Sequence, residues 1–392
     1  MSLANTAAPG TSLPGSRRLA WLDALRGVGA LAVVGEHLFT WAMPWLRPTQ
    51  VNLGMAGVLV FFLVSGYIIP TSLERGGDVR AFWIGRFFRL YPLYLAVLAL
   101  VLALSWWIPV RQEVPRDPYA AAAHATMLLD VVGVGGVLNT MWTLSYEMTF
   151  YLMVAALFAG GVRAGRGLIA VLFGLAALVA GVTLSSAPLS GGWPAWVSLV
   201  VLAAGLACVL AGWSRTLACF VLGVMALALL FLSSRVPWFG LAMSAVMFAG
   251  TAIHRWERGS GSLWPVALTG LLVALAPVWA ISAGWWWVQP AVWISTIVLA
   301  AATFAAGMAL RDRRVPPPLT WLGRISYSLY LVHLPILLVM MQVLGERRWS
   351  PLPHQIGTSV AVLLVVLPVS WLTYRFIERP THALGRRLAG RS

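Results

Sequence analysis

The stretch WLDALRGVGALAVVGEHLFTW, residues 21–41, decides the fold because it is long and apolar enough to cross a lipid bilayer as a helix. It nevertheless contains four ionisable side chains, Asp23, Arg26, Glu36 and His37. Ionisable groups are costly in lipid, so they face a protein interior or a water-filled cavity and default to a functional role. We therefore interpret this stretch as the first span of a membrane protein with an internal site.

The composition of the whole chain supports a membrane protein. Of the 392 residues, 60% are hydrophobic and only 10% are charged, whereas a soluble domain is about 25% charged. Apolar runs of about 20 residues recur along the chain, which predicts an all-α, polytopic transmembrane helical bundle of about 10–12 spans. The candidate spans are residues 20–42, 51–71, 89–109, 137–160, 168–185, 193–212, 216–232, 236–253, 263–283, 290–310, 319–344 and 355–378.

The basic residues indicate how the chain is oriented. All 27 are arginines, giving a formal charge of +15, and they concentrate in the segments that are cytoplasmic if the N-terminus is inside. This positive-inside pattern predicts that both termini are cytoplasmic. We expect a flexible tail over residues 1–19, one membrane domain over 20–380 and a basic tail over 381–392. The arginines form no stripe with interleaved aromatics, so we expect no nucleic-acid partner.

Arg26 and His37 lie on one face of the first span. They are eleven residues apart, which brings the helix back to within about 20° and separates them by roughly 16 Å along the axis. They can therefore contact two ends of one elongated ligand. The Arg26 guanidinium suits a phosphate and the His37 imidazole suits proton transfer. Glu36 points about 100° away from His37 and needs its own partner.

The fourth span contributes Glu147, close to the membrane midplane, with Tyr151 one turn away on the same face. A carboxylate at that depth needs a donor. It could orient the His37 imidazole, as carboxylates do in hydrolase triads, or it could merely lock two helices together. The spacing leaves both interpretations open.

Two further groups of polar residues stand out. In the eleventh span, Ser326, Tyr330 and His333 form one stripe that lines a cavity or joins helices, and the histidine favours a cavity. Arg86 and Arg89 share a face at the cytoplasmic surface, where they bind anionic lipid or a phosphorylated cofactor. We interpret the remaining histidines as loop or terminal residues without a function: His124, His254, His354 and His382. No cysteine or histidine spacing indicates a metal site.

Several motifs together resemble the acyltransferase family three, the integral-membrane O-acyltransferases. Residues 21–37 match the family's pattern of arginine, ten residues and histidine through Arg26 and His37. Among the members of this family, the motifs look most similar to those of exopolysaccharide O-acetyltransferases. A departure is Gly85, which precedes Arg86 where the family often has a second arginine. The other matching stretches, in family order, are VFFLVSGYII with Ser65, FWIGRFFRLYPLY, MWTLSYEMTFYL, LGRISYSLYLVHLPIL and YRFIERP.

The resemblance implies a bacterial cytoplasmic-membrane enzyme that takes an acyl group from acyl-CoA, with acetyl-CoA the most expected donor. The acceptor is then a hydroxyl on a saccharide or exported glycan. His37 would act as general base or transient acyl carrier, with Glu147 as its orienter. The CoA would contact Arg26, Arg86, Arg89 and Ser65. Substrate or oxyanion contacts are expected from Tyr330, His333, Ser326, Glu36 and Tyr151, and no metal is expected.

Two alternatives remain open at this stage. The acceptor could be a hydrophobic natural product or a glycolipid instead of a glycan. A different class of protein, a multi-span transporter, would also use twelve spans with buried charges. Transporters usually show internal repeats and broken helices, and we find no convincing repeat.

Overall fold

The computed structural model describes residues 14–108, 116–162, 167–345 and 349–390, and over these residues the chain is helical with no β-strand. This confirms the predicted all-α class. The helices are α1 (Pro14–Trp41), α2 (Leu53–Gly76), α3 (Val79–Leu104), α4 (Pro118–Thr126), α5 (Trp142–Ala159), α6 (Leu168–Thr183), α7 (Trp193–Ala211), α8 (Arg215–Leu232), α9 (Pro237–Glu257), α10 (Trp264–Leu275), α11 (Val278–Ser282), α12 (Pro290–Ala309), α13 (Pro317–Val343), α14 (Leu352–Thr373) and α15 (Arg379–Leu388).

The chain is a polytopic membrane protein. Within the described residues, eight helical segments are long and apolar enough to cross a bilayer: α2, α3, α7, α8, α10 with α11, α12, α13, and α14 continued into α15. Helix α6 is apolar but shorter, and α1, α5 and α9 carry more polar residues over 28, 18 and 21 residues. Each of the twelve predicted spans falls on one of these helices, while the orientation of the termini stays a prediction.

Helix α3 begins ten residues earlier than the sequence pattern predicted. Gly77 ends α2 in the left-handed conformation, with φ at 66°, and the Asp78 side chain caps α3 by accepting the Arg80 backbone N–H at 2.9 Å. The helix therefore starts at this cap instead of at the onset of the apolar run. Arg86 and Arg89 consequently lie within α3, Arg86 in the helical segment that precedes the predicted span and Arg89 at its first residue.

A buried loop over residues 127–138 was not predicted. It follows α4 and is almost wholly buried although it is not helical. Irregular backbone is tolerated in a membrane protein where protein satisfies its polar groups. His124 does so here: its Nε2 accepts the Val137 N–H at 3.2 Å, and its Nδ1 lies 2.6 Å from the Tyr94 hydroxyl. His124 is therefore a buried structural residue, which corrects its interpretation as an incidental loop residue.

Three other histidines also lie in helices instead of loops, among them His354 near the start of α14. His254 is buried near the end of α9, where its ring packs edge-on against Tyr67 at 4.6 Å between centroids. His382 lies on α15, which continues from α14 through a π-helical turn at Tyr374–Glu378. The segment predicted as a C-terminal tail is instead helical through Leu388. This helix, α15, packs against α3.

Close helix crossings fix α1, which packs along both α13 and α2. A Cβ added at Gly323 of α13 would lie 1.9 Å from the Asp23 carbonyl oxygen, and one added at Gly57 of α2 would lie 2.4 Å from the Gly29 carbonyl oxygen. Only residues without a side chain permit such close backbone approach between membrane helices. These contacts fix the position of α1, and with it Arg26 and His37.

We expect Gly323→Ala to lower the midpoint of thermal unfolding in detergent, because the added methyl forces α13 away from α1 at a cost of about 1–3 kcal/mol. The matched control is Gly357→Ala on α14, where an added Cβ meets nothing within 4 Å. That substitution should leave the midpoint unchanged or raise it, since alanine favours helix. Equal midpoints for the two variants would contradict the close crossing.

Candidate functional site

Helices α1, α2, α5 and α13 enclose a narrow cavity of about 50 Å³. Its apolar wall includes Val58, Phe61, Phe62 and Leu144. Its polar wall includes five residues predicted as site residues on four separate helices, Arg26, Ser65, Glu147, Ser326 and Tyr330, together with Thr143 and Tyr327. We call this space the central cavity. The fold thus brings together side chains from distant motifs into one polar lining.

Carboxylates balance the charge of Arg26. The charges of Glu147, Asp23 and Glu378 act favourably on its guanidinium, while that of Arg89 opposes them. A buried arginine is tolerated only with such compensation. Arg26 and Glu147 line the central cavity itself, and the charges of Asp23, Arg89 and Glu378 also act on Arg26, which is an arrangement that an incoming anion can share.

Glu378 belongs to this group, although the sequence analysis gave it no role. Its carboxylate accepts the Ser328 hydroxyl at 2.8 Å, and the charges of Arg89 and Arg26 act on it. It ends the π-helical turn between α14 and α15, and such turns are frequent at functional sites. The sequence feature that could have identified Glu378 is its position as an acidic residue inside the YRFIERP motif, at the end of a predicted span.

His37 is paired with His333 of α13. Its Nδ1 lies 3.0 Å from Nε2 of His333, whose Nδ1 lies 2.9 Å from the Leu329 carbonyl oxygen. A carbonyl can only accept, so Nδ1 of His333 carries the proton, and Nε2 of the neutral ring accepts. His37 must then donate from Nδ1, which leaves its own Nε2 with a free lone pair. The geometry selects one tautomer for each ring.

Arg26 and His37 both face α13, as their helical spacing predicts. Arg26 lines the central cavity with Ser326 and Tyr330, and His37 contacts His333 farther along α13. Tyr330 lies between the two, since it lines the cavity and its ring centroid is 6.1 Å from that of His333. The two ends of the predicted ligand path are therefore on the same side of α1.

The Tyr330 hydroxyl is already engaged. It donates to the Thr140 carbonyl at 2.9 Å and accepts the Thr143 hydroxyl at 2.8 Å. To donate to an oxyanion, as the sequence analysis expected, it would have to leave the Thr140 carbonyl. In the structure it joins α13 to the start of α5 above the central cavity.

Glu147 occupies a different position from the one expected beside His37. It accepts a hydrogen bond from the Tyr151 hydroxyl and lines the central cavity opposite Arg26. The Tyr151 ring in turn lies 5.0 Å from the Arg86 guanidinium carbon. The ring that contacts His37 is His333, because α13 and not α5 packs along that part of α1. A catalytic role for Glu147 stays a prediction.

Arg86 and Arg89 do not border the same space. The charge of Arg89 acts on Arg26 and Glu378 at the central cavity. Arg86 stacks near Phe82 and Tyr151 and lines a second cavity between α3 and α7. Residues three apart on a helix point about 60° away from each other around its axis. Because α5 packs between the two spaces, this angle directs Arg86 and Arg89 to opposite sides of α5.

Glu36 forms an ion pair away from the central cavity. Its Oε1 accepts from Arg47 at 2.9 Å and 3.2 Å, and its Oε2 accepts the Leu53 backbone N–H at 3.1 Å. The Arg47 guanidinium also lies over the Trp286 ring at 4.3 Å. Arg47 is thus the separate partner that the helical geometry required for Glu36. Through the Leu53 N–H, the Glu36 carboxylate also connects the end of α1 to the start of α2.

The comparison with known families accounts for nearly the whole chain. The Acyl_transf_3 model, described as an acyltransferase domain, matches residues 19–375. The chain belongs to the acyltransferase family three. No solved structure matches it.

Individual relatives of this acyltransferase are distant but cover most of it. Peptidoglycan O-acetyltransferase OatA of Listeria monocytogenes is 24% identical over 93% of this chain, which spans 56% of that relative. Acyltransferase MdmB of Streptomyces mycarofaciens is 27% identical, covering 94% of this chain and 93% of the relative. The putative membrane-bound transacylase BcsY of Komagataeibacter xylinus is 26% identical, covering 91% and 81%. The chain thus spans about half the length of OatA and most of MdmB.

We expect the Glu36–Arg47 pair to stabilise this acyltransferase. Glu36→Gln and Arg47→Gln should each lower the thermal midpoint because each leaves one partly buried charge without its partner. In a double-mutant cycle the two effects should fail to add, with a coupling of about 0.5–3 kcal/mol. Additive losses would mean that the ion pair is not formed in the membrane.

Proposed function

We propose that this chain is a bacterial cytoplasmic-membrane O-acyltransferase that moves an acyl group, acetyl in the simplest case, from cytoplasmic acyl-CoA to a hydroxyl of a saccharide or exported glycan. The observation that carries this proposal is that Arg26 and His37, the residues matching the family motif, both face α13, Arg26 at the central cavity and His37 at His333. The relatives named peptidoglycan O-acetyltransferase and membrane-bound transacylase support the acceptor class.

The central cavity fits part of the proposed donor. Its volume of about 50 Å³ is too small for an adenine nucleotide but suits a slender arm that enters from a phosphate held at the inner end. Arg26 and Arg89 would hold the phosphates, with Arg86 adding to the positive potential beyond Tyr151. The hydroxyls of Ser65 and Ser326 line the path and can bond to amides of the arm. When bound, the donor supplies an activated thioester carbonyl.

His37 would perform the proton transfer. Its Nε2 would accept the proton of the acceptor hydroxyl while the hydroxyl oxygen bonds to the thioester carbon, and would return that proton to the leaving sulfur. A positioned imidazole contributes about 10²–10⁴-fold in such a step. A covalent route through an acyl-histidine would use the same nitrogen.

His333 would act as the positioning residue for His37. Its Nε2 accepts from Nδ1 of His37 at 3.0 Å, and its backbone partner prevents it from presenting an N–H at that atom. This fixes the His37 ring and keeps its Nε2 unprotonated, the role that the aspartate has in a serine hydrolase triad. An imidazole achieves this without placing another buried carboxylate beside the ring.

A transporter is not favoured for this chain. The acyltransferase family model covers residues 19–375, which include the described polar cluster, so the buried charges have an explanation in acyl transfer.

His37→Ala should abolish transfer of label from acetyl-CoA carrying a radioactive acetyl group to a glycan acceptor, with a loss of at least about 10²-fold. The purified full chain in lipid vesicles would be assayed for both labelled product and released CoA thiol. The matched control is His354→Ala, at an exposed histidine at the start of α14, which should keep full activity. Undiminished transfer by the His37 variant, or uptake of unmodified glycan without thiol release, would contradict the proposal.

Replacing His333 tests the orienting hydrogen bond separately. The amide oxygen of glutamine in His333→Gln can accept from Nδ1 of His37, whereas leucine in His333→Leu cannot. We expect the leucine variant to lose roughly tenfold or more in kcat and to change the pH profile of kcat, while the glutamine variant keeps most of both. Equal losses with an unchanged pH profile would indicate that His333 only fills space.

A further inference from the structure

A second cavity of about 370 Å³ lies on the outside of the bundle between α3, α5 and α7. Its lining is almost entirely apolar and includes Trp83, Phe87, Met148 and Leu202, with Arg86 as its charged residue. Phe87 and Leu210, at its edge, are 47% and 43% exposed, so the cavity opens sideways to the membrane. We call it the lateral cavity.

The length of the lateral cavity matches one leaflet of a bilayer. Its lining on α7 extends from Leu199 to Leu210, which is about 16 Å along the helix axis. Half of the hydrocarbon core of a bilayer is about 15 Å. The groove can therefore hold most of one acyl or isoprenoid chain lying parallel to α3 and α7.

Arg86 supplies a positive charge at the depth of lipid phosphates. It lies seven residues after the start of α3 at Val79, about 10 Å along an axis of about 39 Å, and therefore close to the boundary between head groups and hydrocarbon. Its guanidinium packs over the Phe82 and Tyr151 rings at 5.2 and 5.0 Å. Within the described parts of the chain, the ion pairs do not include Arg86, and the nearest carboxylate that acts on it is Glu147, beyond Tyr151, so a lipid phosphate would be its direct counter-ion.

Trp83 forms part of the wall of the same cavity. It lines the cavity three residues before Arg86, and the residue is only 5% exposed, with its indole Nε1 sealed from the open space. The ring therefore contributes an apolar surface beside Arg86, against which a lipid chain can pack.

We propose that the lateral cavity binds one chain of a phosphate-bearing membrane lipid, with the phosphate against Arg86 and the chain in the groove between α3 and α7. The head group then lies beside Tyr151, whose hydroxyl donates to Glu147 of the central cavity. This places a lipid phosphate one side chain from the polar path. The binding proposal does not depend on the acyl-transfer reaction.

Filling the groove tests the chain-binding part. Ala203→Trp places a ring into the lateral cavity, whereas Ala204→Trp is the matched control, since Ala204 is a neighbouring exposed residue on α7 that does not line it. Native mass spectrometry of the full chain titrated with phosphatidylglycerol should show about tenfold weaker binding of one lipid for Ala203→Trp only. Equal binding by the two variants would overturn the proposal.

Changing the charge of residue 86 and the lipid head group tests the phosphate-binding part of the proposal. This second experiment can be done even if the Ala203→Trp variant does not fold. Phosphatidylglycerol should bind about tenfold more tightly than diacylglycerol with the same chains, and Arg86→Gln should remove that difference. Excess inorganic phosphate should not displace the lipid. A preference that survives in Arg86→Gln, no preference in the unaltered chain, or displacement by free phosphate would each overturn the assignment.

Discussion

The close backbone contact between α1 and α13 is the constraint on which the rest of the site depends. At Gly323 the two helices approach so closely that a Cβ would reach the Asp23 carbonyl oxygen. This contact fixes the register of the two helices. Arg26 then meets Ser326, and His37 meets His333 farther along the same pair. A slip of one residue would rotate both functional side chains of α1 away from their partners, since each residue turns the helix by about 100°.

The second constraint is that charge inside a membrane protein must be balanced locally. Four ion pairs of the described residues between helices and loops meet this requirement directly. The pairs are Glu36–Arg47, Asp130–Arg235, Glu74–Arg255 and Glu257–Arg311. Two sites are held in another way: a hydrogen bond joins the rings of His37 and His333, and Arg86 packs over aromatic faces. These exceptions are where we place proton transfer and lipid binding.

Much of the fold was predictable because hydropathy and helical periodicity act within one helix. The spans follow from apolar length, and the shared faces of Arg26 with His37 and of Ser326 with Tyr330 follow from spacing alone. The features that were predicted wrongly depend on contacts that helical periodicity does not encode. The start of α3 is set by the Asp78 cap, and the loop over residues 127–138 is buried because side chains from distant segments satisfy its backbone.

The sequence by itself determined that this chain is a helical membrane protein, which side chains share a helix face, and which family its motifs resemble. Only the tertiary structure decided which faces meet: His333 instead of Glu147 beside His37, Arg47 beside Glu36, and Arg86 on a cavity that Arg89 does not line. The physical reason is that one helix's geometry repeats along its own sequence, whereas helix crossings arise from close contacts between residues such as Asp23 and Gly323, far apart in the chain.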